Sequence, residues 1–443
     1  MTYRFSVDDI AYLSGADDAI AAVDEYALSS SSLVGDLARI RACYGDCAGA
    51  LVETVRLRRK AVGKLDGTGW LLTDDALQQA TPSAVAAHRA RRLAGRAVHD
   101  VTCSIGAELA ALVGAADRRG RLLDDGGRDE SGRGARRRPG PGGGAGGPDE
   151  LGCETGGEGA PGGDQRWRGS SVGPPPAGPT LVIGSDLDEV RLRMAAHNVP
   201  GALLVRADAL VPCTKDTVVL ADPARRVGGR RVADPADLMP PLPALLEVYA
   251  GRDLVVKCAP GLDFDALDWP GEIEVTSLDG GVREACLWSP GLSDGTRRRA
   301  TVLGRYEVTS AEPDDIVERA PGEWIVNPDG AVIRAGLVRH YAARHGLWQL
   351  DPRIAFLTGD TVPAGDRGFR ILERLKFSEK ALRQELSRRD CGSVEILVRG
   401  VDVDPDALRK RLKLRGSQPL SLVITRIGDS PTVFVCEAAA VRL

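Results

Sequence analysis

Asp100, Asp186, Asp208 and Asp222 stand at or just past the ends of four short apolar runs, residues 97–102, 180–184, 201–205 and 217–221. An ionised carboxylate only accepts hydrogen bonds, and its two oxygens receive several donors. Four of them in one place would hold the hydroxyl and amino groups of a small polar ligand. The competing explanation is four independent helix caps or turn aspartates, which are common. The setting favours a shared site. Helical stretches separate the runs, and strands alternating with helices build a mainly parallel sheet covered on both faces. Right-handed crossovers carry the strand C-termini to one edge. Ligands of such sheets bind outside that edge.

The first run opens into Thr102-Cys103-Ser104-Ile105-Gly106 and a helix over residues 107–113. A dinucleotide at such a corner needs G-x-G-x-x-G, because its pyrophosphate rests on backbone N–H groups at the helix N-terminus. Here the spacing is T-x-S-x-G, with one glycine. S-adenosylmethionine carries no phosphate and needs small turn residues and a carboxylate for its ribose, so it is the expected cofactor. Asp100 would then orient its methionine end, with Thr102 and Ser104 in the turn and Gly106 allowing close backbone approach. Asp186, followed by Leu187, would accept the ribose hydroxyls. Asp208, followed by Ala209, would face the adenine amino group. Asp222 and Pro223 would lie beside the sulfonium methyl and contact the acceptor. Methyl transfer is an in-line displacement, whose rate comes mainly from positioning. Arg225 and Arg226 are either a phosphate-binding pair or a solvated loop. Lys257 ends the next strand and points to the same pocket, while Cys258 reads as a buried strand thiol.

These elements imply an organisation along the chain. Residues 1–94 read as mostly helical, with Thr81 as N-cap and Pro82 at the first turn of a helix reaching residue 94. Residues 95–297 form the sheet domain, closed by a strand pair at 273–276 and 282–288. Within it, residues 117–179 are so rich in Gly, Pro and Arg, including Arg136-Arg137-Arg138, that disorder is expected. Residues 298–365 read as a connector, with a helix over 333–346. Residues 366–443 read as a compact α+β unit. The net charge of -4 gives no global attraction to nucleic acid, so any such surface must be a local patch. Nine scattered cysteines and five histidines offer no zinc-ligand spacing and fit a reducing cytoplasm. No leader and no run of 18 apolar residues is seen, so no membrane partner is expected.

Several motifs together resemble a bacterial family of class I S-adenosylmethionine-dependent methyltransferases with a C-terminal THUMP-like domain. They are Gln79-Ala80-Thr81-Pro82, Asp100-Val101-Thr102-Cys103-Ser104-Ile105-Gly106, Asp186-Leu187-Asp188, Ala221-Asp222-Pro223-Ala224-Arg225-Arg226 and Lys257-Cys258-Ala259-Pro260-Gly261. The tail contributes Leu357-Thr358-Gly359-Asp360 and Val398-Arg399-Gly400-Val401. The resemblance implies a Rossmann-like α/β methyltransferase sheet, an N-terminal helical region and a small α+β tail. It also implies an RNA partner, tRNA or rRNA, because THUMP domains bind RNA. Residues 366–416 carry fourteen Arg or Lys against nine Asp or Glu. Arg409, Lys410, Arg411, Lys413 and Arg415, beside Arg399, are the expected phosphate contacts. Methylation of an RNA base is the expected activity, with an amine nitrogen the preferred acceptor. Two other readings stay open at this point. The glycine-poor turn also suits an RNA-binding protein with an inactive methyltransferase fold. The tail also suits a dimerising small-metabolite methyltransferase.

Overall fold

A computed structural model describes residues 3–115, 180–224, 226–227, 230–231 and 234–441. The expected disorder of 117–179 therefore falls outside the described residues. The N-terminal region is helical: α1 (Val7–Leu13), α2 (Asp17–Asp24), α3 (Leu33–Tyr44), α4 (Ala48–Ala61), α5 (Asp74–Gln79) and α6 (Ser83–Arg92). Ser6 and Asp9 form a reciprocal capping box on α1. Ile20, Ile40, Leu51, Val55 and Leu71 close the core of this region, which also takes in Ile105 and Met194 from the sheet domain. One cap differs from expectation. The Thr81 side chain does not cap α6, whose N-cap is Pro82 without a side-chain bond. Thr81 is buried and turns instead toward the sheet, where its hydroxyl meets Lys257 and Glu284.

The first sheet holds β1 (Ala97–Asp100), β2 (Leu181–Asp186), β3 (Leu203–Arg206), β4 (Val218–Ala221), β7 (Leu254–Cys258), β8 (Glu272–Leu278), β9 (Gly281–Trp288), β10 (Arg298–Val302) and β11 (Tyr306–Thr309). The short strands β5 (Arg226–Val227) and β6 (Arg230–Arg231) form a separate hairpin. The order in the large sheet is β11-β10-β8-β9-β7-β4-β1-β2-β3. β3, β2, β1, β4 and β7 run parallel, and β9 enters antiparallel between β7 and β8. β4 and β7 are buried along their whole length, as parallel strands covered on both faces must be. Helix α7, over residues 107–115, and α8 (Glu189–Asn198) pack against the β1–β2 side, with Leu109, Leu112 and Leu192 in a shared core. α9 (Leu242–Val248) buries Leu242 and Leu245 in the core that also holds Val219 and Val256. The strand order turns back between β1 and β4, which is where such sheets open a crevice.

The expected connector over 298–365 is divided between two sheets. β10 and β11 extend the first sheet, because β10 pairs with β8. β12 (Trp324–Asn327), β13 (Trp348–Gln349) and β14 (Leu357–Gly359) join the second. The single helix expected here is two, α10 (Gly330–Arg334) and α11 (Val338–His345), parted at Gly336 with φ +74°. In the tail, β15 (Arg367–Lys376), α12 (Glu379–Arg388), β16 (Cys391–Arg399), α13 (Pro405–Leu412), β17 (Gln418–Ile427) and β18 (Ser430–Glu437) follow in order. β19 (Ala440–Val441) pairs with β15. Ser378 and Asp404 cap the two helices with their side chains. Leu382, Leu386, Leu408 and Leu412 bury one face of that pair over β16–β18.

Candidate active site

The C-terminal ends of β1, β2, β3 and β4 surround a cavity of about 520 Å³. All four aspartates line it, as do Thr102, Ser104, Leu187, Ala209 and Lys257. Two expected members do not. Gly106 is turned away: an added Cβ there would lie 3.0 Å from Val199 Cγ2 and 3.4 Å from Ala195 Cα, both of the α8 side. Glycine at 106 suits both the α8 contact and its φ of +83°. Pro223 lines a neighbouring cavity instead. Arg225 lies outside the described residues, as does the side chain of Arg226.

The turn is held by the carboxylates it was expected to present. Asp100 accepts the Thr102 N–H at 3.0 Å. Asp186 Oδ2 accepts the Ser104 N–H at 3.0 Å, and its Oδ1 accepts the Asp188 N–H at 2.8 Å. Thr102 Oγ1 receives the Asp222 N–H at 2.7 Å, which ties the β1 turn to the end of β4. Ser104 sits at φ +49°, the left-handed conformation that glycine adopts most readily. On the far side, Asp208 Oδ1 accepts the Leu210 N–H, and Tyr249 donates to the Ala209 carbonyl at 2.7 Å. Leu187 and Met239, both mostly exposed, add apolar wall to the cavity.

Burial pushes the Asp100 carboxyl up to about 7, and the nearby carboxylates of Glu108 and Asp222 add to the shift against the opposing Thr102 N–H and Lys257 charge. Lys257, 8% exposed, is the cation among these acids. Its Nζ donates to Asp222 Oδ2 at 2.5 Å and to the Thr81 hydroxyl, and lies 3.8 Å from Glu108 Oε2. Behind it, the buried Arg89 of α6 pairs with Glu108 and Glu284. Alongside, His88 Nε2 meets Glu274 at 2.7 Å, and Arg92 reaches Glu272 and Glu274. These pairs lock the N-terminal helices to the sheet. Ala76, Gln79, Ala80 and Thr81 thereby cover the cavity.

Glu108 was not among the expected residues, yet it borders the cavity and its Oε2 is buried without a hydrogen-bond partner. Among the described residues, only the Lys257 ammonium, 3.8 Å away, offsets the charge of that oxygen, and a ligand ammonium group at this wall would add to that. The clue in the sequence was a lone charge within the apolar helix Ala107-Glu108-Leu109-Ala110-Ala111-Leu112. Together, the carboxylates, the apolar wall and this orphaned oxygen fit S-adenosylmethionine.

In the tail, the expected phosphate contacts separate into two groups. Arg409 is paired with Asp406 at 2.5 Å and Arg411 with Glu379 at 2.9 Å. Lys410, Lys413 and Arg415 have no ion-pair partner among the described residues. Arg399 stacks 4.4 Å from the Phe356 ring centroid, and its Nη1 is buried without a hydrogen-bond partner.

The THUMP domain-like family matches residues 366–438. Two relatives from Mycobacterium tuberculosis, strains CDC 1551 / Oshkosh and ATCC 25618 / H37Rv, are each named as an uncharacterized S-adenosylmethionine-dependent methyltransferase. Each is 50% identical over 417 residues, covering 90% of this chain and 99% of its own. The crystal structure of a candidate methyltransferase from Porphyromonas gingivalis W83 shares the fold, with a TM-score of 0.65 at 17% identity over 98% of this chain and 99% of its own. Fold and relatives define a class I methyltransferase that uses S-adenosylmethionine. Within that class, the chain belongs to the bacterial family that carries a THUMP-like domain at its C-terminus. Among the described residues, no helix is long and apolar enough to cross a membrane.

Proposed function

We propose that this methyltransferase modifies an RNA, tRNA or rRNA, at a base nitrogen. The observation that carries this is the coupling of a methyltransferase cavity to a THUMP-like tail that presents Lys410, Lys413 and Arg415 without carboxylate partners. Cations not already neutralised are the ones that gain from phosphate contact. The proposed domains are residues 1–94, 95–297 and 366–443, with β10 and β11 of the intervening connector extending the sheet of the second and β12–β14 that of the third.

S-adenosylmethionine, when bound, supplies an electrophilic methyl group on its sulfonium. The chain's part is to bind, orient and shield. Asp186 takes the ribose hydroxyls and Asp208 the adenine amino group, with Leu187 and Ala209 against the ring. Asp100 and Glu108 receive the methionine ammonium group. Asp222, with one oxygen held by Lys257, offers the other to an acceptor N–H and so turns the nitrogen lone pair toward the methyl. Positioning of this kind supplies most of the acceleration that an in-line displacement needs. Ser104 already holds the turn conformation for which glycine is usual, which supports an active enzyme over an inactive fold.

Transfer of radiolabelled methyl groups from S-adenosylmethionine to RNA from cells lacking the gene tests this reading, followed by mass spectrometry of the nucleosides. The expected result is one modified base, absent from the deletion strain and restored by the protein. No incorporation into RNA, with incorporation into a small-molecule extract, would move the acceptor to a metabolite. Lys413→Gln with Arg415→Gln should flatten the salt dependence of RNA binding by roughly 0.7–0.9 in log–log slope per lost phosphate contact.

A further inference from the structure

A second cavity, of about 310 Å³, adjoins the first and shares Gln79, Ala80, Thr81, Asp222 and Lys257 with it. Its lining includes Asp222 and Pro223, which the proposed function sets beside the acceptor. Its remaining wall includes Lys64, from the segment after α4, and Arg283, from β9. Among the described residues, no aromatic side chain lines it.

Its charges are unevenly balanced. Asp222 is taken up by Lys257 and Glu284 by Arg89. Lys64 and Arg283 have no carboxylate partner among the described residues. Lys64 Nζ donates to the Leu77 and Gln78 carbonyls at 2.6 and 3.0 Å, which fixes its position and leaves a third donor. Arg283 is steadied by one bond, from Nε to the Leu278 carbonyl at 3.2 Å. Burial holds the Lys64 ammonium below its ordinary range, and the charges of Lys257, Lys60 and Arg283 add to the effect. Cations that repel one another around a cavity are stabilised when an anion enters it.

We propose that this second cavity is the acceptor pocket and that Lys64 and Arg283 bind a phosphate carried beside the methylated base. The inference rests on the methyltransferase reading of the adjoining cavity. The phosphate is either an internal diester of RNA or the terminal monoester of a nucleotide, and both present the same oxygens to a guanidinium and an ammonium.

The test uses the full chain saturated with S-adenosylhomocysteine. Calorimetry compares ribonucleoside 5′-monophosphates, the matching nucleosides and a short single-stranded RNA. Binding of monophosphates or of RNA should exceed that of nucleosides by about tenfold or more, the worth of one charge-assisted hydrogen bond. Lys64→Gln and Arg283→Gln should each remove most of that advantage, and Lys64→Arg should restore it. Binding of RNA alone, sensitive to both variants, assigns the diester; binding of the mononucleotides assigns the monoester. Phosphate-bearing probes that bind no better than nucleosides, or that ignore both variants, would overturn the proposal. If Lys64→Gln unfolds through loss of its carbonyl contacts, Arg283→Gln alone decides, since that side chain is exposed. Failure of the wild type to bind S-adenosylhomocysteine would instead overturn the methyltransferase reading beneath it.

Discussion

Replacing Asp186 by alanine separates a cofactor carboxylate from a merely structural one. In the free protein, its Oδ2 and Oδ1 each accept one backbone N–H, from Ser104 and Asp188 at 3.0 and 2.8 Å. Each oxygen keeps a second acceptor direction, and the two ribose hydroxyls are assigned to these. A hydrogen bond to a charged group is worth about 1.5–3 kcal/mol. Water refills part of the space left by alanine, so the low end applies and the two bonds together amount to about 3 kcal/mol. At about 1.4 kcal/mol per decade, the affinity for S-adenosylhomocysteine should fall roughly a hundredfold. Asp186→Asn keeps one acceptor oxygen and should lose roughly tenfold. Both variants also deprive the turn of support, so their apo melting temperatures should fall. The informative quantity is therefore the dissociation constant from calorimetry, measured below the melting temperature of each variant. A folded Asp186→Ala protein that binds within about threefold of wild type would remove Asp186 from the cofactor contacts.

Other consequences follow from the same network. Lys257→Met leaves Asp222 without its cation and Glu108 with Arg89 alone. It should cost about 2–4 kcal/mol in urea denaturation, below the fully buried range because Asp222 is partly exposed. Asp100 is raised by burial from 3.8 to about 7, so the native state holds a proton that the unfolded chain releases. Its contribution to stability is complete below the unfolded value and is lost as pH rises through about 7; Asp100→Asn should flatten that part of the profile of urea midpoint against pH. Glu274 shifts the other way: burial opposes its charge, but the His88 hydrogen bond and Arg92 hold the carboxyl well below its ordinary 4.5. The stability it contributes is present above that value and lost on acidification, and Glu274→Gln should remove this acid-side loss. Gly106→Ala meets a positive φ and a Val199 contact at 3.0 Å, and should lower stability by about 1–3 kcal/mol in thermal melts.

The sequence alone determined what is local. Alternating apolar runs and helical stretches placed β1 to β4, and the aspartates at their ends fell on one edge because parallel crossovers leave no other arrangement. Ser378 and Asp404 marked the tail helices because a cap acts over three residues. Tertiary structure decided whatever depends on which surfaces meet. Thr81 and Lys257 are 176 residues apart and Thr81 and Glu284 are 203 apart, and no spacing rule links them. For that reason Thr81, expected as a cap, belongs to the charged network, and Gly106, expected at the ligand, serves the α8 contact. The strands at 298–309 lay hidden in a connector because their partner, β8, precedes them behind an intervening strand. Glu108 was visible as a lone charge on an apolar helix, whereas Arg89 was one of three arginines in α6. That Glu108 and Arg89 face each other beneath the cavity, with one oxygen of Glu108 lacking a hydrogen-bond donor, follows only from the packing of α6 and α7.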